Sequence, residues 1–163
     1  MFEKITSLDE LRKAYRAAAM KAHPDHGGST EAMQAVNAAY EIRFNQLKSE
    51  QNRRADADPT GKTRRVNETP EQFRAVLEAL LKIDGIIIEL CGSWIWVSGD
   101  TRTHMDEIKS AGCWWAKQKK MWNWRAPEDA HHGRSRSTME HIRSKYGSER
   151  ITSDGRHAET LTA

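Results

Sequence analysis

This chain of 163 residues has two cysteines, few aromatic residues and no long apolar run. Two cysteines exclude a framework of several disulfides, and a single Cys91–Cys113 bridge is compatible with the count but favoured by nothing else. No apolar stretch resembles a signal peptide or a membrane span, so we expect a cytoplasmic protein with no membrane partner. The 37% hydrophobic content and the mean hydropathy of -0.82 favour two small cores over one continuous core.

Acidic and basic residues are nearly balanced, and the net charge is only +3. The basic excess lies mainly in residues 51–70 and near the C-terminus, and it permits contact with nucleic acid without requiring it. Residues 51–68 are polar and contain Pro59-Thr60-Gly61, which predicts a flexible linker.

Two helical patterns stand at the start of the chain. Apolar residues recur at three- and four-residue spacing in Leu8–Ala22 and again in Thr30–Lys48, and the second pattern allows the helix to continue toward Arg54. A short loop between them predicts an antiparallel helical hairpin. Ser29 is the expected N-cap of the second helix.

The loop between these helices reads HPDHGGS. Pro24 ends the first helix, since it disfavours a helical His23 and lacks the N–H that the helix would need. Gly27 and Gly28 are expected to supply the positive φ angles of the reversal. We therefore expect His23 and Asp25 to be exposed at the tip of the hairpin.

The segments LRKAYRAAAMKAHPD and AMQAVNAAYE, within residues 8–47, resemble the J-domain (DnaJ) family. The resemblance implies a co-chaperone that binds a DnaK-type heat-shock chaperone and stimulates its ATP hydrolysis. It implies that Arg12, Lys13 and Arg16 dock on that chaperone and that His23, Pro24 and Asp25 trigger hydrolysis. Asn37, Ala39, Tyr40 and Glu41 match the signature of the second helix and are assigned to packing.

The sequence departs from the family pattern in three places. Family members have a full first helix before this hairpin, whereas only seven residues precede it here. Ala22 stands where an aromatic residue is common, and Ala17 stands where a basic residue is common. The resemblance therefore implies a minimal J-domain within residues 1–50.

Residues 69–147 predict a second module with the order α-ββαββ, so the fold class is α+β. Thr69-Pro70 begins a helix, and Gly92-Ser93 is a type II′ turn that pairs Cys91 with Trp94 and Glu89 with Trp96. A second hairpin turns across residues 117–120, a last helix runs from Ser137 to Tyr146, and a disordered tail covers residues 148–163.

All six tryptophans lie between positions 94 and 124. One interpretation makes them the core of the module, because it has few other large residues. The other is an aromatic platform that stacks bases or grips a peptide, formed by Trp94, Trp96, Trp115, Trp122, Trp124, Lys117, Lys119 and Lys120. The same segment resembles a module found beside J-like hairpins in phage and mobile-element proteins.

Catalytic and metal-binding motifs are absent from the sequence. No nucleophile–base pair, phosphate loop or paired acid motif appears, so we expect neither an enzyme nor a cofactor. Cys91, Cys113, His104, His131 and His132 lack the CxxC or HxxxH spacing of a zinc site, and no metal is predicted. Two functions remain: a J-domain co-chaperone whose second module binds a client protein or complex, and a nucleic-acid-binding accessory protein whose hairpin is only a scaffold.

Overall fold

A computed structural model describes residues 1–126 and 137–152, without the side chains of residues 149, 151 and 152. These residues divide into a first unit, residues 1–74 with Ala126, and a second unit, residues 75–125 and 137–152. Within the described ranges, no helix is long and apolar enough to cross a membrane.

The first unit is built on the predicted helical hairpin. Helix α1 spans Leu8–Ala22, and helix α2 spans Thr30–Asp56. Ser29 caps α2, as predicted, because its hydroxyl accepts a hydrogen bond from the backbone N–H of Ala32. The second helix therefore continues past Lys48, as the pattern allowed. It ends at Asp56, within the stretch predicted to be a linker.

The core of the hairpin is aromatic. The ring centroids of Tyr15 and Tyr40 lie 4.3 Å apart, and Phe44 lies 5.7 Å from Tyr40. The Tyr15 hydroxyl donates to the Asn37 side chain at 2.8 Å, which joins α1 to α2 across the hairpin. Asn37 and Tyr40 therefore have the packing role that the family signature implied.

Residues 64–68 differ from the flexible linker that the composition predicted. Asn52 of α2 donates to the carbonyl of Val66 at 3.1 Å and accepts from its N–H at 2.7 Å, as a neighbouring strand would. Gln51 donates to the carbonyl of Arg64, and Lys48 donates to that of Glu68. The linker prediction was wrong here, because composition does not show hydrogen bonds to other elements. Polar side chains of α2 make those bonds to the backbone of a segment that has no regular structure of its own.

Helix α3 begins in the first unit, and the rest of the described chain forms an antiparallel sheet with two more helices. The predicted order α-ββαββ is confirmed, and the sheet has the strand order β3-β4-β2-β1-β5. The elements are α3 Pro70–Leu81, β1 Ile86–Cys91, β2 Trp94–Gly99, α4 Met105–Ser110, β3 Trp114–Ala116, β4 Met121–Trp124, α5 Met139–Tyr146 and β5 Glu149–Thr152.

Strand β5 corrects the predicted disordered tail. Glu149–Thr152 pair antiparallel with β1, and the remainder of that tail, residues 153–163, lies outside the described residues. The physical reason lies partly on β1, where the buried Glu89 carboxylate accepts hydrogen bonds from Arg150 in β5 and from Ser148 just before it. A polar segment read alone does not reveal such a partner.

Both hairpin registers follow the predictions. Cys91 pairs with Trp94 and Glu89 with Trp96 across Gly92, whose φ of 61° fits the first position of a type II′ turn. In the second hairpin Trp115 pairs with Trp122 across the turn at residues 117–120. Because side chains alternate along each strand, these registers decide which indoles share a face.

Candidate functional site

The end of α1 is shaped by His23, Pro24 and Asp25. His23 has extended backbone angles, so the helix stops at Ala22, and residues Pro24–His26 form one 3₁₀ turn. The backbone N–H of Asp25 donates to His23 Nδ1 at 3.3 Å, and the Asp25 carboxylate lies 3.6 Å from the same nitrogen. These contacts hold the tripeptide in one compact turn.

The two glycines after the turn have different roles. Gly27 has a φ of 87°, as predicted, and closes the 3₁₀ turn in the left-handed region. Gly28 does not have a positive φ; instead, a Cβ placed there would lie 2.1 Å from the carbonyl oxygen of Ala22. The chain therefore needs glycine at position 28 because its backbone passes directly against the end of α1.

Exposure separates the three residues of the tripeptide. Pro24 and Asp25 are exposed, whereas His23 is buried and lies 5.8 Å, ring to ring, from His26. The prediction that His23 would be exposed is therefore wrong, because its ring accepts the hydrogen bond that shapes the turn. A partner approaching the tip of the hairpin meets the Asp25 carboxylate and the Pro24 ring.

The basic residues of α1 are mostly covered. Arg12 is 3% exposed and Arg16 is 0% exposed, while Lys13 is half-buried. The helical pattern placed all three beside the apolar stripe, but it could not show what packs over them. Chaperone docking by these three residues stays a prediction, and Arg12 and Arg16 are not accessible in this conformation.

Arg12 lies between two acidic residues and an aromatic ring. Its guanidinium pairs with Asp9 at 3.0 Å and with the fully buried Glu68, and it sits 5.8 Å above the centre of the Phe73 ring. Burial opposes its charge, but the carboxylate of Glu68 leads the effects that raise the pKa of Arg12 above its ordinary value. Arg12 therefore stays charged in a buried ion pair.

Sequence reasoning missed Glu68 as a functional neighbour, because it lies in the stretch predicted to be a linker. The one signal in that stretch is Val66, an apolar residue among polar ones, and it is buried. An isolated apolar residue in a polar segment often marks a point where the segment contacts a core.

The indoles of the second unit do not form one surface. Trp96, Trp122 and Trp124 are buried, in agreement with the interpretation that tryptophans build the core. Trp122 and Trp124 pair with Val97 and Ile95 of β2, so they lie on the face opposite Trp96. The face of the sheet that carries Trp96 is covered by Met139 and Ile142 of α5.

The exposed indoles are those of the edge strand β3. Trp114 is 54% and Trp115 is 48% exposed, and consecutive residues of a strand point to opposite faces. Arg125 lies 5.8 Å from the ring of Trp114 and 5.4 Å from that of the half-buried Trp94. Lys117 and Lys120 are exposed in the adjoining turn, whereas Lys119 lies 5.6 Å from the buried Trp96 ring. The predicted platform omitted Trp114, the most exposed of the six indoles.

The two cysteines are buried free thiols, and burial raises the pKa of Cys113 to about 12. In the part of the chain that the structure describes, no three His, Cys, Asp or Glu side chains are grouped as metal ligands. His131 and His132 of the weighed zinc set lie outside the described residues.

Comparison with known proteins identifies a domain family for the helical hairpin. The family model of the DnaJ domain matches residues 2–55. The chain is similar to chaperone protein dnaJ A6 of Oryza sativa subsp. japonica, with 54% identity over 39 residues, which are 24% of this chain and 9% of the relative. It is 49% identical over 53 residues to the tetratricopeptide repeat and J domain-containing co-chaperone DNJ1 of Cryptococcus neoformans, covering 31% of this chain and 10% of that one.

A DnaJ protein homolog of Cucumis sativus is 51% identical over 39 residues, covering 24% of this chain and 9% of the relative. The chain thus matches about a tenth of the length of these curated relatives. No solved structure matches it. The matched residues contain α1, the His23-Pro24-Asp25 turn and nearly all of α2. Residues 2–55 of this chain are therefore a DnaJ domain.

Proposed function

We propose that this DnaJ domain binds a DnaK-type chaperone and stimulates its ATP hydrolysis. J-domain proteins partner with such chaperones. The observation that carries the proposal is the turn after α1, where Asp25 and Pro24 are presented to solvent by a buried His23 and a left-handed Gly27. A rigid, exposed carboxylate at the tip of a hairpin is suited to recognition of a basic group.

Asp25 acts in this proposal by pairing with a basic group of the chaperone. Such a charge-assisted contact contributes a few kcal/mol at most, and salt weakens it because the carboxylate is exposed. In this proposal the reacting groups and the catalytic residues belong to the chaperone. His23 and Gly28 are positioning residues, since they shape the turn from beneath.

Single-turnover ATP hydrolysis by a bacterial DnaK-type chaperone tests the proposal. We expect the wild-type chain to accelerate hydrolysis and Asp25→Asn to lose at least about nine-tenths of that acceleration, which corresponds to about 1.4 kcal/mol or more. Asp84→Asn is the matched control, because it makes the same change at an exposed aspartate of the second unit. Circular dichroism of both variants checks that the fold is kept.

Equal stimulation by the wild type and Asp25→Asn would contradict the role of Asp25. Stimulation by neither wild type nor control, repeated with chaperones from several bacteria and from eukaryotes, would contradict the proposal as a whole. Raising the salt concentration should reduce the difference between wild type and Asp25→Asn, since the proposed contact is between exposed charges.

For the second unit we propose binding of the client protein or complex on which the chaperone acts. The exposed Trp114 and Trp115 support a binding role, because large exposed aromatic side chains on an edge strand are typical of interaction sites. A second candidate is single-stranded nucleic acid, which the same observation favours together with the exposed Lys117 and Lys120.

Fluorescence anisotropy with a labelled single-stranded oligonucleotide at low salt separates these two candidates. If nucleic acid binds, Trp114→Ala with Trp115→Ala should weaken binding about tenfold or more, at about 1–3 kcal/mol per stacked base. Met105→Ala is the control, since it removes another exposed apolar side chain of the second unit. Absence of binding by the wild type would exclude nucleic acid and favour a protein client.

A further inference from the structure

The face of α1 that carries Arg12 is already occupied by another part of the first unit. Glu68 pairs with Arg12, and the Phe73 ring lies beneath the Arg12 guanidinium and 6.4 Å from the ring of Tyr15. Arg16, one turn further along α1, is also fully buried. Of the three positions that the family resemblance assigns to chaperone docking, Arg12 is covered by Glu68 and Phe73, Arg16 is buried and Lys13 is half-buried.

The covering segment is held mainly by side chains of α2. Residues 64–69 have no helix or strand of their own. Asn52 makes two hydrogen bonds to Val66, and Lys48 donates to the carbonyls of Asn67 at 3.4 Å and Glu68 at 2.8 Å. A segment without a continuous backbone ladder opens more readily than a helix or a central strand.

We propose that residues 66–69 mask the arginine face of α1, and that a chaperone binding this face must displace them. The proposal rests on the proposed function, since it concerns the same docking surface. It assigns Glu68 the role of an internal competitor. The carboxylate satisfies Arg12 while the face is closed, and an acidic side chain of the partner satisfies it when the face is open.

The contacts of the masking segment also indicate which groups a partner needs in order to replace it. Displacement of residues 66–69 separates Arg12 from Glu68 and leaves it with Asp9, so a carboxylate of the partner would restore the second ion pair. The buried Val66 leaves with the same segment, so an apolar group of the partner would take its place. The partner surface should therefore present an acidic residue beside an apolar one.

Two variants open the mask by separate routes. Glu68→Gln removes the competing carboxylate and leaves every residue of α1 unchanged. Asn52→Ala removes both hydrogen bonds that hold Val66 and touches neither α1 nor the buried ion pair. Asn45→Ala is the matched control, because it makes the same change at an exposed site on α2.

Both variants should lower the concentration of this protein that gives half-maximal stimulation of ATP hydrolysis by a DnaK-type chaperone. If the open form is populated about one-tenth of the time, full opening gives about a tenfold gain, since apparent affinity scales with the population of the competent form. Asn45→Ala should match the wild type. Adding Asp25→Asn to either variant should remove the stimulation, because opening the mask does not replace the tip contact.

Three outcomes distinguish the masking from the proposed function. A gain in both variants supports the masking. If the wild type stimulates hydrolysis and the folded variants need the same concentration or a higher one for half-maximal stimulation, the masking is overturned. The proposed function then still stands. Stimulation absent from the wild type and from both variants would overturn the proposed function and the masking with it.

Hydrogen exchange of the full chain bound to the ATP-loaded chaperone gives a second readout. If residues 66–69 are displaced, exchange of the amide of Val66 should rise on binding, because the hydrogen bond to Asn52 is lost. Amides around the Arg12 face of α1 should be protected or unchanged. Slower exchange of both segments would show that the partner binds over a closed mask, and would overturn the proposal.

Discussion

Each unit of this chain buries a glutamate against arginine, but the two sites differ in what holds the carboxylate. Glu89 lies on β1, in the middle of a sheet, and accepts hydrogen bonds from Arg143 at 2.6 Å, from Ser148 at 2.6 Å and from Arg150 at 3.1 Å. Glu68 lies in an irregular segment whose backbone is held by side chains of α2. The same pairing chemistry thus occurs on an inner strand of a sheet and in a segment without regular structure.

The difference shows that a buried ion pair takes its role from the backbone around it. The Glu89 carboxylate joins α5 and β5 to the sheet, so releasing it would require strands to separate. In the proposed opening, the Glu68 carboxylate leaves with residues 66–69, and Arg12 keeps Asp9 at 3.0 Å. One pair therefore stabilises the fold, while the other covers the Arg12 face of α1, which we propose binds the chaperone.

The largest expected effect is on the free energy of unfolding, and it should differ between the two glutamates. Glu89→Gln should lower it by about 3 kcal/mol, because Arg143 and Arg150 lose the buried charge that they share. Glu68→Gln should lower it by only about 1 kcal/mol, because local opening of residues 66–69 limits the loss. Urea unfolding measures both values. Tryptophan fluorescence follows the second unit, which holds all six tryptophans, and far-ultraviolet circular dichroism follows the helical first unit.

Glu31→Gln, at an exposed glutamate in the first turn of α2, is the control for these substitutions. Equal losses from Glu68→Gln and Glu89→Gln would remove the contrast between a rigid and a movable site. They would also weaken the masking argument, since a segment that cannot lift cannot be displaced by a partner.

A smaller effect is expected from acid. Burial alone would raise the pKa of Glu89, but hydrogen bonds from Arg143, Ser148 and Arg150 lower it from 4.5 to about 2. Because the folded pKa lies below the unfolded one, this stabilisation is fully present above pH 4.5 and is lost as the pH falls toward 2. The loss by pH 3 should be about 2 kcal/mol.

Urea unfolding at a series of pH values between 7 and 3 measures this loss, and Glu89→Gln isolates it. Glu71 and Asp58 also have lowered pKa values, mainly from hydrogen bonds in the first turn of α3 and to Thr60 and Thr63, and they titrate equally in both proteins. The stability gap between wild type and Glu89→Gln should therefore narrow with acid. A gap that stays constant down to pH 3 would show that Glu89 is not the titrating group.

The parts predicted correctly from sequence depend on local rules. Helix periodicity, the Ser29 cap and the effect of Pro24 on residue 23 act within a few positions, so they predict α1, its end and the start of α2. Strand alternation and turn geometry act across a hairpin, which is why the pairing of Glu89 with Trp96 and of Trp115 with Trp122 was correct. The tripeptide that marks the J-domain belongs to this local class.

The parts that the sequence did not predict depend on distant partners. Arg12 and Glu68 are separated by 56 positions, and Glu89 and Arg150 by 61. Periodicity places a side chain on a helix face but says nothing about which segment covers that face. The burial of Arg12, the docking of residues 64–68 and strand β5 were missed for that one reason.

The sequence by itself determined the helical hairpin, the turn that exposes Asp25, the α-ββαββ order and the registers of two hairpins, because short-range sterics and hydrogen bonding specify them. Only the tertiary structure decided which of these surfaces face solvent. It closed the arginine face of α1 with Glu68 and Phe73, buried Trp96, Trp122 and Trp124, and left Trp114 and Trp115 on an open edge. Burial depends on contacts between segments far apart in the chain, and those contacts depend on how the whole of each unit packs.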